Sequence, residues 1–431
     1  MSAKNKIAVL LILVAIAGGA AYLIFKIAGE ESVSADYYKQ EGKKYFTSGD
    51  FEKSEENYKK ALEMDPSCST ASYQLGNIYL RYEEYDQARE YFNEALRKDP
   101  ESLIEKGSYL GLAGAYFFEE DYGKSIDYIN LALEDSQAVT RAEMEVLEAT
   151  AYPMLANSLF FLGNFSASEE YLQKALQLDI KDLKLASSVK ENAYNGLGFL
   201  SSSLGENETA IEYFNESMNY NADSALRYLS YFGMGQSYIF LNDYDKALES
   251  LLTSLSLIDE SQYVPDYSFN KTQIYNLLGK AYLDIENFSQ AENSFNSAIE
   301  VIETETFDSA RERVLSYSRA YSGLGEISFQ LNNHETALSF FEQGLENITS
   351  VEPKYFSEKT NFYFFEILLR YQKALLHAST QNALEAEREL EKITNLISSL
   401  PPEIYSLIEN LPWFNDGDSI FEKVNVLQNE I

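Results

Sequence analysis

The 431 residues carry 68 acidic against 34 basic side chains, a formal net charge of −34, and 45% of them are hydrophobic. A core of that size excludes a wholly disordered chain, and the missing basic face excludes nucleic acid as a partner. The single cysteine, Cys68, excludes a disulfide framework or a thiolate cluster, and two histidines, His334 and His377, leave little material for a histidine-based metal or triad site.

Residues 1–6 form a short flank. Ile7 to Phe25 is an uninterrupted apolar run with Lys4 and Lys6 before it and Lys26 after it. Its length is close to the roughly 20 residues that cross a bilayer core, so residues 7–25 read as a transmembrane anchor in contact with the lipid bilayer. A cleaved signal peptide is the alternative, because the small residues Ala17 to Ala21 suit a peptidase. Lys4, Lys6 and the terminal amine favour an N-terminus inside and an extracytoplasmic remainder, a vote weakened by Lys26, Lys39, Lys43 and Lys44 on the other flank. On that topology Asn164, Asn207, Asn215, Asn270, Asn287 and Asn347, each opening an Asn-x-Ser/Thr sequon, become possible glycosylation sites. In a chain this rich in Asn, Ser and Thr the sequon signal is weak.

From Ala35 the chain repeats. Gly42 and Gly76 occupy equivalent places, as do Pro66 and Pro100. In the first copy Tyr38, Gly42, Tyr45, Tyr58, Ala61 and Pro66 recur at fixed spacing. In the second, Leu75, Gly76, Tyr79, Ala88, Phe92, Ala95 and Pro100 do so. This pattern resembles the tetratricopeptide repeat family. Weaker copies follow through Leu112, Ala113, Tyr116, Ser125 and Ala132, then Leu155, Ala156, Ser168, Leu172 and Ala175. Further copies hold Tyr194, Leu197, Gly198, Ala210 and Phe214, then Tyr231, Gly235, Tyr238, Ala247 and Leu251. Tyr275, Leu278, Gly279, Tyr282, Ala291, Phe295 and Ala298 form a strong seventh. Tyr321, Leu324, Gly325, Ala337 and Phe341 form an eighth, and a degenerate ninth runs through Ala374, His377, Ala386 and Leu390. The resemblance covers residues 35–400 and implies an all-α solenoid of tandem helix-turn-helix units, about eight or nine of them, wound as a right-handed superhelix. Small residues such as Gly76 and Ala88 belong where two helices cross closely, and short turns such as Ser48-Gly49-Asp50 and Leu241-Asn242-Asp243 join the helices of one unit.

The later units are longer than the earlier ones, which predicts longer helices or ordered segments between units. Pro153 is expected to start or kink the first helix of the fourth unit. Residues 401–431 break the pattern. Pro401-Pro402, a short amphipathic stretch, Trp413 and a last helix from Ser419 to Asn429 read as capping helices over the final repeat, with partner docking as the alternative.

No catalytic constellation stands out. There is no Gly-rich phosphate loop, no Gly-x-Ser-x-Gly elbow and no His-Glu-x-x-His. Asp416-Gly417-Asp418 lacks the ligand spacing of a calcium loop, and His334 stands in a turn position held elsewhere by Phe51 and Phe288, as a packing substitute. No cofactor and no metal is expected, and the chain reads as non-enzymatic. The resemblance implies that first helices line a groove receiving a protein or peptide segment. Counting along them places Tyr73, Asn77, Arg81, Phe117, Phe118, Asn157, Phe160, Phe161, Asn195, Phe199, Gln236 and Phe240 near that groove, with core packing the competing role for the aromatics. The basic clamp that some members use for a terminal carboxylate is absent: Lys39 and Lys43 have no basic counterparts in the following units. The function expected is a membrane-anchored interaction scaffold. The alternatives are an extracytoplasmic folding factor, a cytoplasm-facing adaptor, or an enzyme using acids such as Glu326.

Overall fold

The computed structural model describes residues 33–99, 102–134, 139–220, 227–260, 267–305, 310–353, 356–409 and 419–431. The apolar run Ile7 to Phe25, Pro100, Trp413 and Asp416 to Asp418 lie outside the described residues. Within them, no helix is long and apolar enough to cross a membrane.

The short turns predicted from sequence recur nine times among the described residues, and one backbone device builds all of them. Gly49, Glu83, Glu120, Gly163, Gly205, Asn242, Glu286, Asn332 and Gln381 each adopt positive φ, between 58° and 82°. The next residue's N–H then reaches back to a carbonyl of the preceding helix, as from Asp50 to Tyr45 at 3.0 Å, Glu84 to Tyr79 at 3.0 Å and Asn333 to Ser328 at 2.8 Å. This left-handed stop satisfies carbonyls at the helix C-terminus and reverses the chain. The second helix starts at once: the Asp50, Asp121, Asn164 and Asn287 side chains accept from the backbone N–H three residues on.

The resulting hairpins pair α1 (Val33–Ser48) with α2 (Phe51–Met64), α3 (Ser69–Arg81) with α4 (Tyr85–Lys98), and α5 (Leu103–Phe118) with α6 (Tyr122–Leu133). Next come α7 (Arg141–Phe161) with α8 (Phe165–Leu176), α9 (Leu183–Ser203) with α10 (Asn207–Met218), and α11 (Arg227–Phe240) with α12 (Tyr244–Glu260). The last are α13 (Tyr267–Asp284) with α14 (Phe288–Thr304), α15 (Ala310–Gln330) with α16 (His334–Thr349), and α17 (Phe356–Ser379) with α18 (Ala383–Ser399). Two further helices follow, α19 (Pro402–Glu409) and α20 (Ile420–Glu430), and no strand occurs among the described residues.

Close helix crossings follow from glycine. A Cβ on Gly76 of α3 would stand 2.7 Å from the Phe92 ring of α4, and one on Gly111 of α5 closer still to the same ring. Phe214 is held in the same way between Gly198 and Gly233, and Phe295 between Gly279 and Gly323. Each of these rings therefore locks its own hairpin and the next one through a space that only hydrogen can share.

The described residues form two compact units, 33–196 and 197–431, and α9 contributes to both. In the first, α3 touches α5 and α5 touches α7 directly, while the second helices α2, α4 and α6 each pack on the first helix that follows. In the second, α11, α13, α15 and α17 touch in succession by the same rule. In each unit the first helices therefore make up one side, called inner here, and the second helices the other.

Among the described residues, long first helices begin with α7 and α9, 21 residues each, and continue into the late repeats. α15 has 21 residues and α17 has 24, against 13 in α3. Pro153 neither starts nor ends a helix: α7 runs through it from a Thr140–Glu143 capping box. Arg141 to Tyr152 satisfies its own backbone and enters Pro153 from a formed helix, so the proline removes only one internal donor. At the C-terminus Ile404, Ile408, Ile420, Phe421, Val424 and Leu427 join the core of α17 and α18, which closes the last hairpin.

Candidate partner-binding surface

The sequence-derived groove residues divide sharply by burial. Tyr73 is fully buried, its ring 5.9 Å from that of Phe92, and burial pushes its phenol up to about 12. Asn77, one turn along α3, is buried beside it. Phe117 and Phe161 are also fully buried: Phe161 stacks on Tyr122 at 4.5 Å, and the edge of Phe117 meets the two rings at 5.2 and 5.7 Å. Phe118 stacks on Tyr85 at 5.6 Å, and Phe199 packs on Phe214 at 4.9 Å. Asn195 is buried as well. Tyr73, Asn77, Phe117, Phe118, Phe161, Asn195 and Phe199 are thus part of the packing between helices and offer no surface to a partner. The physical reason is that an inner helix is enclosed by its own second helix and by both neighbouring hairpins: in α3 every residue from Thr70 to Leu80 is buried.

Five of the residues stay partly open to solvent: Arg81, Asn157, Phe160, Gln236 and Phe240. The Arg81 guanidinium lies over the rings of Phe51 at 4.9 Å and Phe46 at 5.6 Å, so it covers the turn end of the preceding hairpin, α1 with α2. Phe160 packs at 5.4 Å on Phe165. Asn157 and Gln236 share one register, each directly after the small residue of its repeat (Ala156 and Gly235). The Gln236 Oε1 is buried without a hydrogen-bond partner.

A polar layer on α13, α15 and α17 was missed by the sequence reading. Gln273 Nε2 donates to the Ser316 hydroxyl at 3.0 Å, and Asn276 Nδ2 to the Ser316 carbonyl at 3.3 Å. Arg319 Nη1 donates to Gln273 Oε1. Ser322 donates to Gln372 Oε1 at 2.8 Å, while Gln372 Nε2 donates to Glu326 Oε2 at 3.2 Å. Lys280 pairs with Asp284 on the same helix. Burial pushes the Lys280 ammonium down and the Asp284 carboxyl up. Lys280 and Glu326 occupy the register of Asn157 and Gln236, directly after Gly279 and Gly325. That register was therefore readable: Glu326 is named from the sequence as a candidate acid, while Lys280 is not.

The remaining sequence features are structural. His334 opens α16 with its ring 5.9 Å from Phe329, a packing role like that of Phe51 and Phe288. Cys68 is buried at the start of α3, and burial pushes its thiol up. Among the sequons, Asn207 and Asn270 are buried, so their amides have no room for a glycan. The Asn164 and Asn287 side chains cap α8 and α14, and Asn347 donates to the Gln343 carbonyl at 2.8 Å. Asn215 is exposed on α10. No cluster of three or more His, Cys, Asp or Glu among the described residues is placed to hold a metal.

Two family models, each described as tetratricopeptide repeat, match the chain. One covers residues 39–102, and the other 149–181, 191–224, 228–260, 272–304 and 318–347. The TPR repeat-containing protein MJ1428 of Methanocaldococcus jannaschii is 23% identical over 412 residues, 91% of this chain and 66% of its own length. Stress-induced-phosphoprotein 1 of Caenorhabditis elegans is 20% identical over 219 residues, 46% of this chain and 65% of its own. The chain thus spans just under two thirds of the length of these relatives. Among solved structures, the apo form of RapI superposes with a TM-score of 0.58 at 13% identity, covering 84% of this chain and 97% of that one, a likeness of fold alone. Tetratricopeptide repeat proteins in general serve as protein-interaction scaffolds, typically without enzymatic activity. With matches across both compact units and together over more than half its length, the chain belongs to the tetratricopeptide repeat family.

Proposed function

We propose that the chain is a non-enzymatic scaffold whose inner helices receive a segment of a protein partner, held at a membrane by residues 7–25 with the repeats on the extracytoplasmic side. The observation that carries the reading is the polar character of the inner side. Buried amides and hydroxyls, among them Gln273, Asn276, Ser322 and Gln372, tie the first helices to one another, and Asn157 and Gln236, in one register, are the amides left partly open to solvent. Amides of this kind can pair with the N–H and C=O groups of an extended peptide, which need both donors and acceptors. The apolar length and flanking lysines of residues 7–25 support the membrane clause.

A pull-down with the full chain tests the binding surface. Asn157→Arg together with Gln236→Arg, at two partly open positions, should reduce recovery of a partner at least several-fold while the variant keeps the wild-type unfolding temperature; unchanged recovery would contradict the reading. Protease treatment of intact cells tests the location. Digestion of the fragment after Phe25 is expected, and its protection would place the repeats in the cytoplasm.

A further inference from the structure

We propose that Arg319, on the inner face formed by α13, α15 and α17, is the seat for the carboxylate of an acidic side chain in the segment that the scaffold binds. The inference rests on the reading of the inner helices as the binding surface and adds the chemistry that one part of it selects.

The guanidinium is oriented from two sides. Nη1 donates to Gln273 Oε1, and Gln273 is itself fixed by donating to Ser316 at 3.0 Å. The guanidinium carbon lies 5.1 Å from the centre of the Phe365 ring, which supports the plane of the fork. The remaining edge is incomplete, since Nε is buried with no hydrogen-bond partner. No carboxylate compensates the charge: burial alone acts on the group and pushes it down to about 10.

Several other shielded cations in this chain are answered by acids, while the buried Lys106 ammonium donates to the Leu131 carbonyl at 2.9 Å. Arg89 pairs with Glu119, Arg370 with Glu366 and Glu389, Lys271 with Asp259, and Lys280 with Asp284. Unlike Lys106, whose ammonium has a carbonyl acceptor, Arg319 keeps one enclosed donor with no acceptor at all. Glu326, two turns along α15, is engaged by Gln330 at 3.0 Å and Gln372 at 3.2 Å. An unpaired enclosed charge and an orphaned donor both cost stability. A carboxylate arriving from outside would neutralise the charge at the part of the guanidinium that stays open to solvent.

The occupant is an Asp or Glu side chain of an extended segment. The net charge of −34 repels a strongly anionic ligand at long range, but that field is screened within about 8 Å at physiological salt. A segment neutral or basic elsewhere can therefore deliver one carboxylate to this point. Arg319 lies on α15 between two further inner helices, α13 and α17.

The test is selection of a displayed random peptide library on the full chain, as wild type and as Arg319→Gln. The best peptides are then titrated as synthetic probes with free and with amidated C-termini. The expected result is an Asp or Glu at one fixed position. Arg319→Gln and replacement of that acid by its amide should each weaken binding on the order of tenfold to a hundredfold, and combining them should cost little more than either alone. Arg319→Lys should retain part of the affinity. Arg319→Gln should also unfold at the same or a higher temperature than wild type, because it removes an uncompensated charge. Peptides that bind but ignore Arg319 overturn the seat and leave the inner-surface reading intact, whereas no enrichment on either protein removes both. A requirement for the free C-terminus overturns the side-chain assignment. A large drop in unfolding temperature for Arg319→Gln overturns the proposal in favour of a purely structural arginine.

Discussion

Phe92 shows at the scale of one residue how the repeats are fastened. Its ring fills the gap between Gly76 of its own hairpin and Gly111 of the next, and a methyl group at either place would overlap it. Gly76→Ala should therefore cost about 1–3 kcal/mol in urea denaturation, the usual scale of overpacking in a dense core. Adding Phe92→Leu should recover part of that loss, because the two changes share one space; equal stability of Gly76→Ala and wild type would contradict the packing account. Half of this device was legible in the sequence. Gly76, Gly198 and Gly279 stand at the repeat's own small-residue position and were found by spacing. Gly111, Gly233 and Gly323 fall two residues before that position, and only the folded chain shows which ring each one faces.

The inner helix is the element in which sequence reading met its limit. A surface helix alternates an apolar and a polar face, and the face can be counted from the sequence. A helix enclosed on three sides has no such face, and α3 is buried along nearly its whole length. Tyr73, Phe117 and Phe161 fall at positions that count as groove-facing, yet they are covered by the neighbouring hairpins. The hairpins, their turns and the C-terminal cap were legible because Gly, Asn and Asp at turns and caps act locally. The polar layer on α13, α15 and α17 was not, because it depends on pairings across about forty residues, such as Gln273 with Ser316. The Lys280–Asp284 pair on α13 gives a test at this scale. Burial opposes ionisation of both partners, so Lys280→Met alone, which leaves the carboxylate enclosed near Glu326, should cost about 3 kcal/mol or more. Lys280→Met with Asp284→Leu should return to within about 1 kcal/mol of wild type, or exceed it, when thermal unfolding of the three proteins is compared. A double variant no more stable than the single would show that the pair contributes net stability.

Within each compact unit the acidic excess and the inner helices lie on different sides. The second helices carry much of the acidic excess on their outer faces, at residues such as Glu56, Glu90, Glu169 and Glu292, all exposed. Their mutual repulsion favours solubility and keeps copies apart without defining a site. The inner helices of both compact units carry a different chemistry, with partly open side chains such as Asn157 and Gln236 among buried amides, hydroxyls and packed rings. On the function proposed above, this inner side, and not the acidic outer side, meets the partner. Site-specific photocrosslinking in cells tests it most directly, with a photoreactive residue placed at Asn157 or Gln236 on the inner helices and at Glu90 or Glu292 on the outer ones. The account predicts a discrete crosslinked product from the inner positions and none from the outer pair. The same product from Glu90 or Glu292, with nothing from Asn157 and Gln236, would contradict it.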